Sequence, residues 1–277
     1  MRTLLHNRRA LFGFIVFALL VLVALAAPWL APHDPTEQDL LNTFAAPLWK
    51  GGAKAFPLGT DSLGRDILSR LLYGARVALL VAIVAATFAG LLGSALGMAA
   101  GFIGGRVDQL ISRLVDIWMS FPAVLLSIVL AAVLGAGLHT VIIAIVVIDW
   151  TRFCRVVRAE VLVQREQDYV ASAVTIGLTP MRILFGEVLP NVAPLLLTLF
   201  TLELGIAVVV EAILSFVGLS ASSGIATWGG MIAEGRQYVN QAWWLMALPT
   251  LCVIIVVLGL NALGDGLREE LDPVGRR

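Results

Sequence analysis

VALLVAIVAATFAGLLGSALGMAAGF, residues 77–102, runs for 26 residues without one charged side chain. About 20 apolar residues in a helix cross the ~30 Å hydrocarbon layer of a bilayer, so this stretch is a membrane span by length and composition alone. Its second half places Gly93, Gly97 and Gly101 four residues apart, with Ser94 and Ala100 beside them. In lipid there is no hydrophobic drive between helices, and a small-residue groove of this kind lets two backbones approach closely enough to gain dispersion contacts. We read it as a packing face rather than a substrate contact.

Working outward, five more apolar stretches of similar kind appear, approximately Leu11–Leu30, Ile117–Leu134, Thr140–Cys154, Ala193–Leu219 and Trp243–Leu263. The segment Gly135-Ala136-Gly137-Leu138-His139 suits a tight hairpin between the third and fourth, and Asp149 and Arg152 interrupt the end of the fourth. The chain is 59% hydrophobic and 14% charged, against about 25% charge in a soluble domain. The expected fold is all-α: a polytopic membrane protein of about six transmembrane helices. Arg2, Arg8 and Arg9 followed by Ala24-Leu25-Ala26 resemble a secretory leader with a small-residue cleavage site. The apolar run continues through Trp29 and Leu30, however, and no soluble domain follows it, so an uncleaved span is expected.

Arginine and lysine set the orientation. The N-terminal tail, residues 103–116, residues 155–192, the C-terminal tail and Arg152 together hold 13 of the 19 basic residues. The other six are Lys50, Lys54, Arg65, Arg70, Arg76 and Arg236, of which Arg70 and Arg76 lie awkwardly close to a membrane end on the outer side. Both termini are therefore expected in the cytoplasm.

Several chemistries are excluded. Formal net charge is zero and no basic block or aromatic-basic interleaving is present, so no nucleic-acid partner is expected. His6, His33 and His139 are scattered without zinc spacing, and Cys154 and Cys252 are far apart within or beside apolar stretches. No G-x-S-x-G elbow is present. The only lysines, Lys50 and Lys54, belong to no G-x-x-x-x-G-K-[ST] loop, so the chain has no P-loop for ATP.

Two loops carry information. The outer one, Ala31 to Arg76, is rich in turn formers and ends in Ile67-Leu68-Ser69-Arg70-Leu71-Leu72-Tyr73, expected as an amphipathic helix on the outer interface. In the inner one, Arg152, Arg155 and Arg158 fall three apart and make one helix face basic. Asp168-Tyr169-Val170-Ala171-Ser172-Ala173-Val174-Thr175-Ile176-Gly177 follows. Asp168 is expected to cap a short helix, Gly177 to end it in the left-handed conformation, and Thr179-Pro180 to cap and restart the next. A helix that short is marginal alone in water. It either docks in a partner's groove or lies on lipid, and the residues leave both open. Within the fifth stretch, Glu203 and Glu211 are ~80° apart around a helix and could both face inward. Such carboxyls either hydrogen-bond between helices or line a pathway.

These loops resemble those of the inner-membrane permeases of ABC importers, in particular the second permease of the dipeptide, oligopeptide and nickel group. The inner loop is similar to the signature EAA-x3-G-x9-I-x-LP, with Ala171-Ser172-Ala173 at the first triplet, Gly177 at the glycine and Leu189-Pro190 at the end. Ala171 stands where the family has glutamate, and Glu187 where it has isoleucine. Pro57-Leu58-Gly59-Thr60-Asp61-Ser62-Leu63-Gly64-Arg65-Asp66 is a second resemblance, and Gly264-Asp265-Gly266-Leu267-Arg268 with Asp272-Pro273 a third. The resemblance implies residues 1–76 as an N-terminal span with a periplasmic loop and 77–277 as the permease domain. It also implies that Asp168, Tyr169, Val170, Ala171, Ser172, Ala173, Gly177, Leu189 and Pro190 couple to an ATPase. The implied partners are a second homologous permease, two ATPase subunits carrying ATP and Mg, and a periplasmic binding protein, with no cofactor in this chain. The function so implied is one half of an alternating-access pathway in the bacterial inner membrane for di- or oligopeptides. Nickel or another metal chelate on the same architecture, and a proton-coupled carrier using Glu203 and Glu211, are the alternatives, although carriers usually show internal repeats and none is found here.

Overall fold

The computed structural model describes residues 8–220 and 224–271. Arg2, His6 and the Asp272-Pro273 pair lie outside the described residues. The helices are α1 (Arg8–Leu30), α2 (Ile67–Ile103), α3 (Gly105–Met119), α4 (Ala123–Leu134), α5 (Leu138–Arg165), α6 (Asp168–Thr175), α7 (Pro180–Ile183), α8 (Leu189–Phe216), α9 (Trp228–Arg236) and α10 (Trp244–Leu271). A wide π turn, Leu184–Val188, joins α7 to α8. Among the described residues the architecture is all-α.

Four helical segments are long and apolar enough to cross a membrane: Arg8–Leu30, Ile67–Ile103, Pro180–Phe216 and Trp244–Glu270. The third apolar stretch is not one straight span. It is the pair α3 and α4, bent by 87° where Pro122 forces its predecessor out of helical geometry. Residues 103–116, expected as a loop, are mostly the amphipathic helix α3. The fourth stretch belongs to α5, whose membrane-length portion contains Asp149, Arg152 and Arg155, more charge than a lipid-exposed span carries. The Gly135–His139 hairpin forms as expected. Gly135 ends α4 at φ +83°, and the Gly137 N–H donates to the Leu219 carbonyl at 3.0 Å, pinning the hairpin to the end of α8.

α2 and α5 lie against each other along most of their lengths, and the glycine ladder is the reason. A Cβ on Gly97 would stand 2.6 Å from the Cys154 carbonyl oxygen and 3.1 Å from the Arg158 nitrogen. One on Gly101 would meet the Arg158 carbonyl at 2.9 Å. The groove is thus filled by backbone, as the packing reading requires. α1 lies on α10, and α10 in turn packs on α8, where Gly264 of the third motif leaves 2.9 Å between an added Cβ and Thr201 Oγ1. The central core is built from Ala78, Val81, Ala85, Ile145, Val208 and Leu260 of these helices.

Ile67–Tyr73 is not a separate interfacial helix. It forms the first two turns of α2, with Ile67, Ser69, Arg70 and Leu71 buried in protein, and α2 runs on without a break past residue 76. Asp66 caps it, accepting from the Ser69 N–H at 2.8 Å and the Ser69 hydroxyl at 2.6 Å. Asp66→Ala should lower stability by about 1 kcal/mol, read as a lower thermal midpoint. Asp66→Asn should recover most of it. Equal loss in both variants would show that the charge, not the cap, matters.

Candidate functional site

The segment after α5 is built as a short rod on an apolar bed. Val170 and Ala173, one turn apart on α6, are buried against Val157 and Val161 of α5 and against Ile183, Leu184, Val188 and Val192 beyond it. Tyr169 fixes the rod's start by donating from its hydroxyl to Gln164 Oε1 at 2.8 Å; burial pushes this phenol above its ordinary range, which keeps it a donor. Gly177 has φ +81°. The Leu178 N–H bonds the Ala173 carbonyl at 3.1 Å and the Gly177 N–H bonds the Val174 carbonyl at 3.0 Å, which together make a Schellman end. Leu178 packs back onto the same apolar bed. Two capping expectations fail. Asp168 is the first residue inside the helix rather than its cap, which is Gln167 without a side-chain bond. Thr179 precedes Pro180 at the start of α7 but its side chain makes no cap bond.

The outer face of the rod is open and carries exposed apolar side chains. Ala171 is exposed, as are Val174 (61%) and Ile176 (75%). The Ser172 and Thr175 hydroxyls turn inward to carbonyls four residues back, at 2.9 Å each. Leu189 and Pro190 are not on this face. They begin α8, just past the π turn. Proline has no N–H to offer and its ring displaces the carbonyl four residues earlier, so a wide turn there relieves the clash. The Asn191 side chain donates to the Glu187 carbonyl at 2.7 Å and satisfies a group this turn loosens.

A second cluster sits between α5 and α8. Glu203, 1% exposed, accepts from Arg152 Nη1 at 3.0 Å, and Arg152 also approaches Asp149 at 3.5 Å. Glu203 thus joins two helices electrostatically. Glu211 is equally buried but bonds to Ser215 one turn on in its own helix, so the two glutamates share a helix and not a site. Arg158 grips Asp108 of α3 with two nitrogens, one at 2.7 Å, while Arg155 is exposed and contacts only the Met119 sulfur, at 3.3 Å. The expected basic face is thereby split into three different roles.

The outer motif folds into a knot around one carboxylate. Asp61 accepts from the Leu63 and Arg65 amides at 2.9 and 3.0 Å, from Arg65 Nε at 2.7 Å, and from Arg70 Nη1. Glu234 of α9 closes the network, accepting from Arg65 and Arg70 at 2.8 Å each. The charge of Arg70, which the sequence places awkwardly close to a span, is thereby neutralised inside the protein. Glu234 carried no sequence signal, being one acid in a short segment after α8. The Arg152–Glu203 pair did carry one: opposite charges interrupt two neighbouring apolar stretches, and such charges are affordable in lipid chiefly when paired.

Residues 93–274 match the family of binding-protein-dependent transport system inner membrane components. The chain belongs to that family. Residues 1–47 match the N-terminal transmembrane domain of oligopeptide transport permease C. Over 269 residues the permease is 40% identical to the di/tripeptide transport system permease protein DppC of Pseudomonas aeruginosa (strain UCBPP-PA14), covering 97% of this chain and 89% of that one. It is also 40% identical to the dipeptide transport system permease protein DppC of Escherichia coli (strain K12), covering 97% and 90%. A solved structure of the MetNI methionine ABC transporter in an inward-facing conformation contains a chain that superposes with TM-score 0.60 at 21% identity. The match covers 73% of the permease and 96% of that chain. The fold of the permease is therefore that of ABC importer permeases, and the protein is membrane-embedded.

Proposed function

We propose that the permease forms one half of the translocation pathway of an ATP-driven importer of di- and oligopeptides, and that α6 is the handle by which a separate ATPase moves it. The observation that carries this reading is the rod itself. Its inner face is fixed to α5 and α8 by a buried apolar cluster, while Ala171, Val174 and Ile176 stand exposed on its outer side and the Ser172 and Thr175 hydroxyls there are bonded back to their own helix. An exposed apolar face on a short rod pinned to its neighbours by a buried cluster suits a groove on a protein better than water. The reported relatives are peptide permeases, which favours peptides over nickel chelates or a proton-coupled carrier.

In this reading a second homologous permease completes the pathway and a periplasmic binding protein delivers the peptide. Two partner ATPases bind ATP and Mg, and this chain performs no hydrolysis. Closure of the ATPases draws the two coupling rods together and opens the pathway outward; hydrolysis resets it. Both termini face the cytoplasm, in accord with the bias of basic residues.

Gly177→Val tests the handle. An added Cβ meets nothing within 4 Å, so the penalty is conformational only, about 1–2 kcal/mol for a left-handed branched residue. Membrane insertion and assembly should survive, while peptide uptake per ATP hydrolysed should fall several-fold. Gly177→Asn, which tolerates this region, should keep most uptake. Cysteine at Val174 should cross-link to the ATPase. Uptake and coupling at wild-type level in Gly177→Val, with no such cross-link, would remove the assignment.

A further inference from the structure

The bend between α3 and α4 leaves a cavity of about 560 Å³ against α5, within the roughly 300–1,000 Å³ of small-molecule sites. Trp118, Phe121 and Leu126 give it apolar walls, and Asp149, Arg152 and Arg155 line it on α5.

The formal charges there sum to zero, but only one of the two guanidiniums meets the acids. Asp149 and Glu203 are two buried carboxyls, and Arg152 is the guanidinium that contacts both. Asp149 Oδ2 and Glu203 Oε1 are each buried without a hydrogen-bond partner. A buried carboxylate oxygen left without a donor is expensive, and the group that satisfies it best is a cation with several N–H bonds. Arg155, which lines the same cavity, points its charge at a sulfur, a weak acceptor, and has no carboxylate within ion-pair distance among the described residues.

Asp149 and Arg155 are six residues apart on an unbroken helix, about 9 Å along its axis. An extended chain spans about 3.3–3.6 Å per residue, so a di- or tripeptide separates its ammonium from its carboxylate by about 7–11 Å. We propose that this cavity is a subsite for a short zwitterionic peptide in transit, with the N-terminal ammonium on Asp149 and the C-terminal carboxylate on Arg155. Arg152 holds Asp149 and Glu203 in place, and the apolar walls accept side chains without selecting among them. The proposal deepens the peptide-import reading and rests on it.

The test uses the whole importer, permease pair with ATPases, in nanodiscs without binding protein. Equilibrium binding is measured for labelled dialanine, N-acetyl-dialanine and dialanine amide. Dialanine should bind at least tenfold more tightly than either capped form. Asp149→Asn should erase the preference for the free amine while keeping that for the free carboxylate, and Arg155→Gln should do the reverse. That crossed pattern is one that misfolding cannot produce. Asn still offers a hydrogen to Glu203, so wild-type binding by Asp149→Asn would mean that a shared proton fills the gap, and would overturn the subsite. No dialanine binding by the wild type, equal binding of all three peptides, or a lysine or arginine of the second permease seated on Asp149 would overturn it too. Uptake by the importer with its binding protein separates the two claims. Absence of any dialanine uptake removes the peptide reading itself, whereas normal uptake with uncrossed variants removes only the subsite.

Discussion

Gly97→Val should abolish accumulation of folded permease. The added Cβ would lie 2.6 Å from the Cys154 carbonyl oxygen and 3.1 Å from both the Arg158 nitrogen and the Val157 Cβ. Two of these three obstacles are backbone atoms of α5, which cannot rotate aside as a side chain can. The helices must separate, and the loss spreads along the whole contact instead of one residue. Overpacking in an ordinary core costs about 1–3 kcal/mol; here we expect about 3 kcal/mol or more, enough to exhaust much of a marginal stability. The readouts are the yield of monodisperse protein after detergent extraction and its thermal midpoint. Gly90→Ala is the control on the same helix, because its Cβ would sit 3.4 Å from the Phe153 ring, an ordinary contact. Normal yield of Gly97→Val, or equal damage from Gly90→Ala, would contradict the ladder.

Arg152→Ala comes next in expected size. It would leave Glu203, 1% exposed, and its neighbour Asp149 without a cation. Stranding one partner of a wholly buried pair costs about 3–5 kcal/mol. The Arg152 side chain is 46% exposed, so water already screens part of the attraction and a loss on the order of 2–3 kcal/mol is expected. A double-mutant cycle with Glu203→Ala isolates the pair. The double variant should be more stable than Arg152→Ala alone, because it buries one orphan carboxyl, Asp149, instead of two. Strict additivity of the two losses would mean that the pair contributes nothing as a pair.

The sequence made the apolar architecture legible where one simple pattern governed it. Residues 77–102 announce a span, and the four-residue spacing of Gly93, Gly97 and Gly101 announces a close neighbour, though not that the neighbour is α5. Gly177 was legible because a left-handed helix end is a local property. The break in the third span was not. Ser120-Phe121-Pro122 is apolar enough to pass unnoticed within a hydrophobic run, and only three-dimensional packing shows that the chain turns there. The start of α2 was misassigned for a related reason. The amphipathic repeat over Ile67–Tyr73 fits either a lipid interface or a protein interior, and periodicity does not say what the apolar face touches. Asp168 as a cap failed because Gln167 already takes the extended conformation that ends the preceding turn. At the candidate site, Glu203 and Arg152 were each visible as misplaced charges. Their pairing, and the unsatisfied oxygens beside it, depend on how α5 and α8 sit side by side, which no linear pattern encodes.

The two helices that carry α6 differ in stiffness. α5 is unbroken for 28 residues from Leu138 to Arg165, about 42 Å, and bears Asp149, Arg152 and Arg155 on the way. The return strand of the hairpin is interrupted by the wide turn Leu184–Val188 and by Pro190 at the foot of α8. If the rod is the handle proposed above, a displacement applied to it would travel up one side as through a push-rod and be absorbed on the other as by a flexible joint. In the proposed coupling role, motion of the rod would reach the acidic pair on α5 with little attenuation, while the remainder of α8 could stay seated against its neighbours.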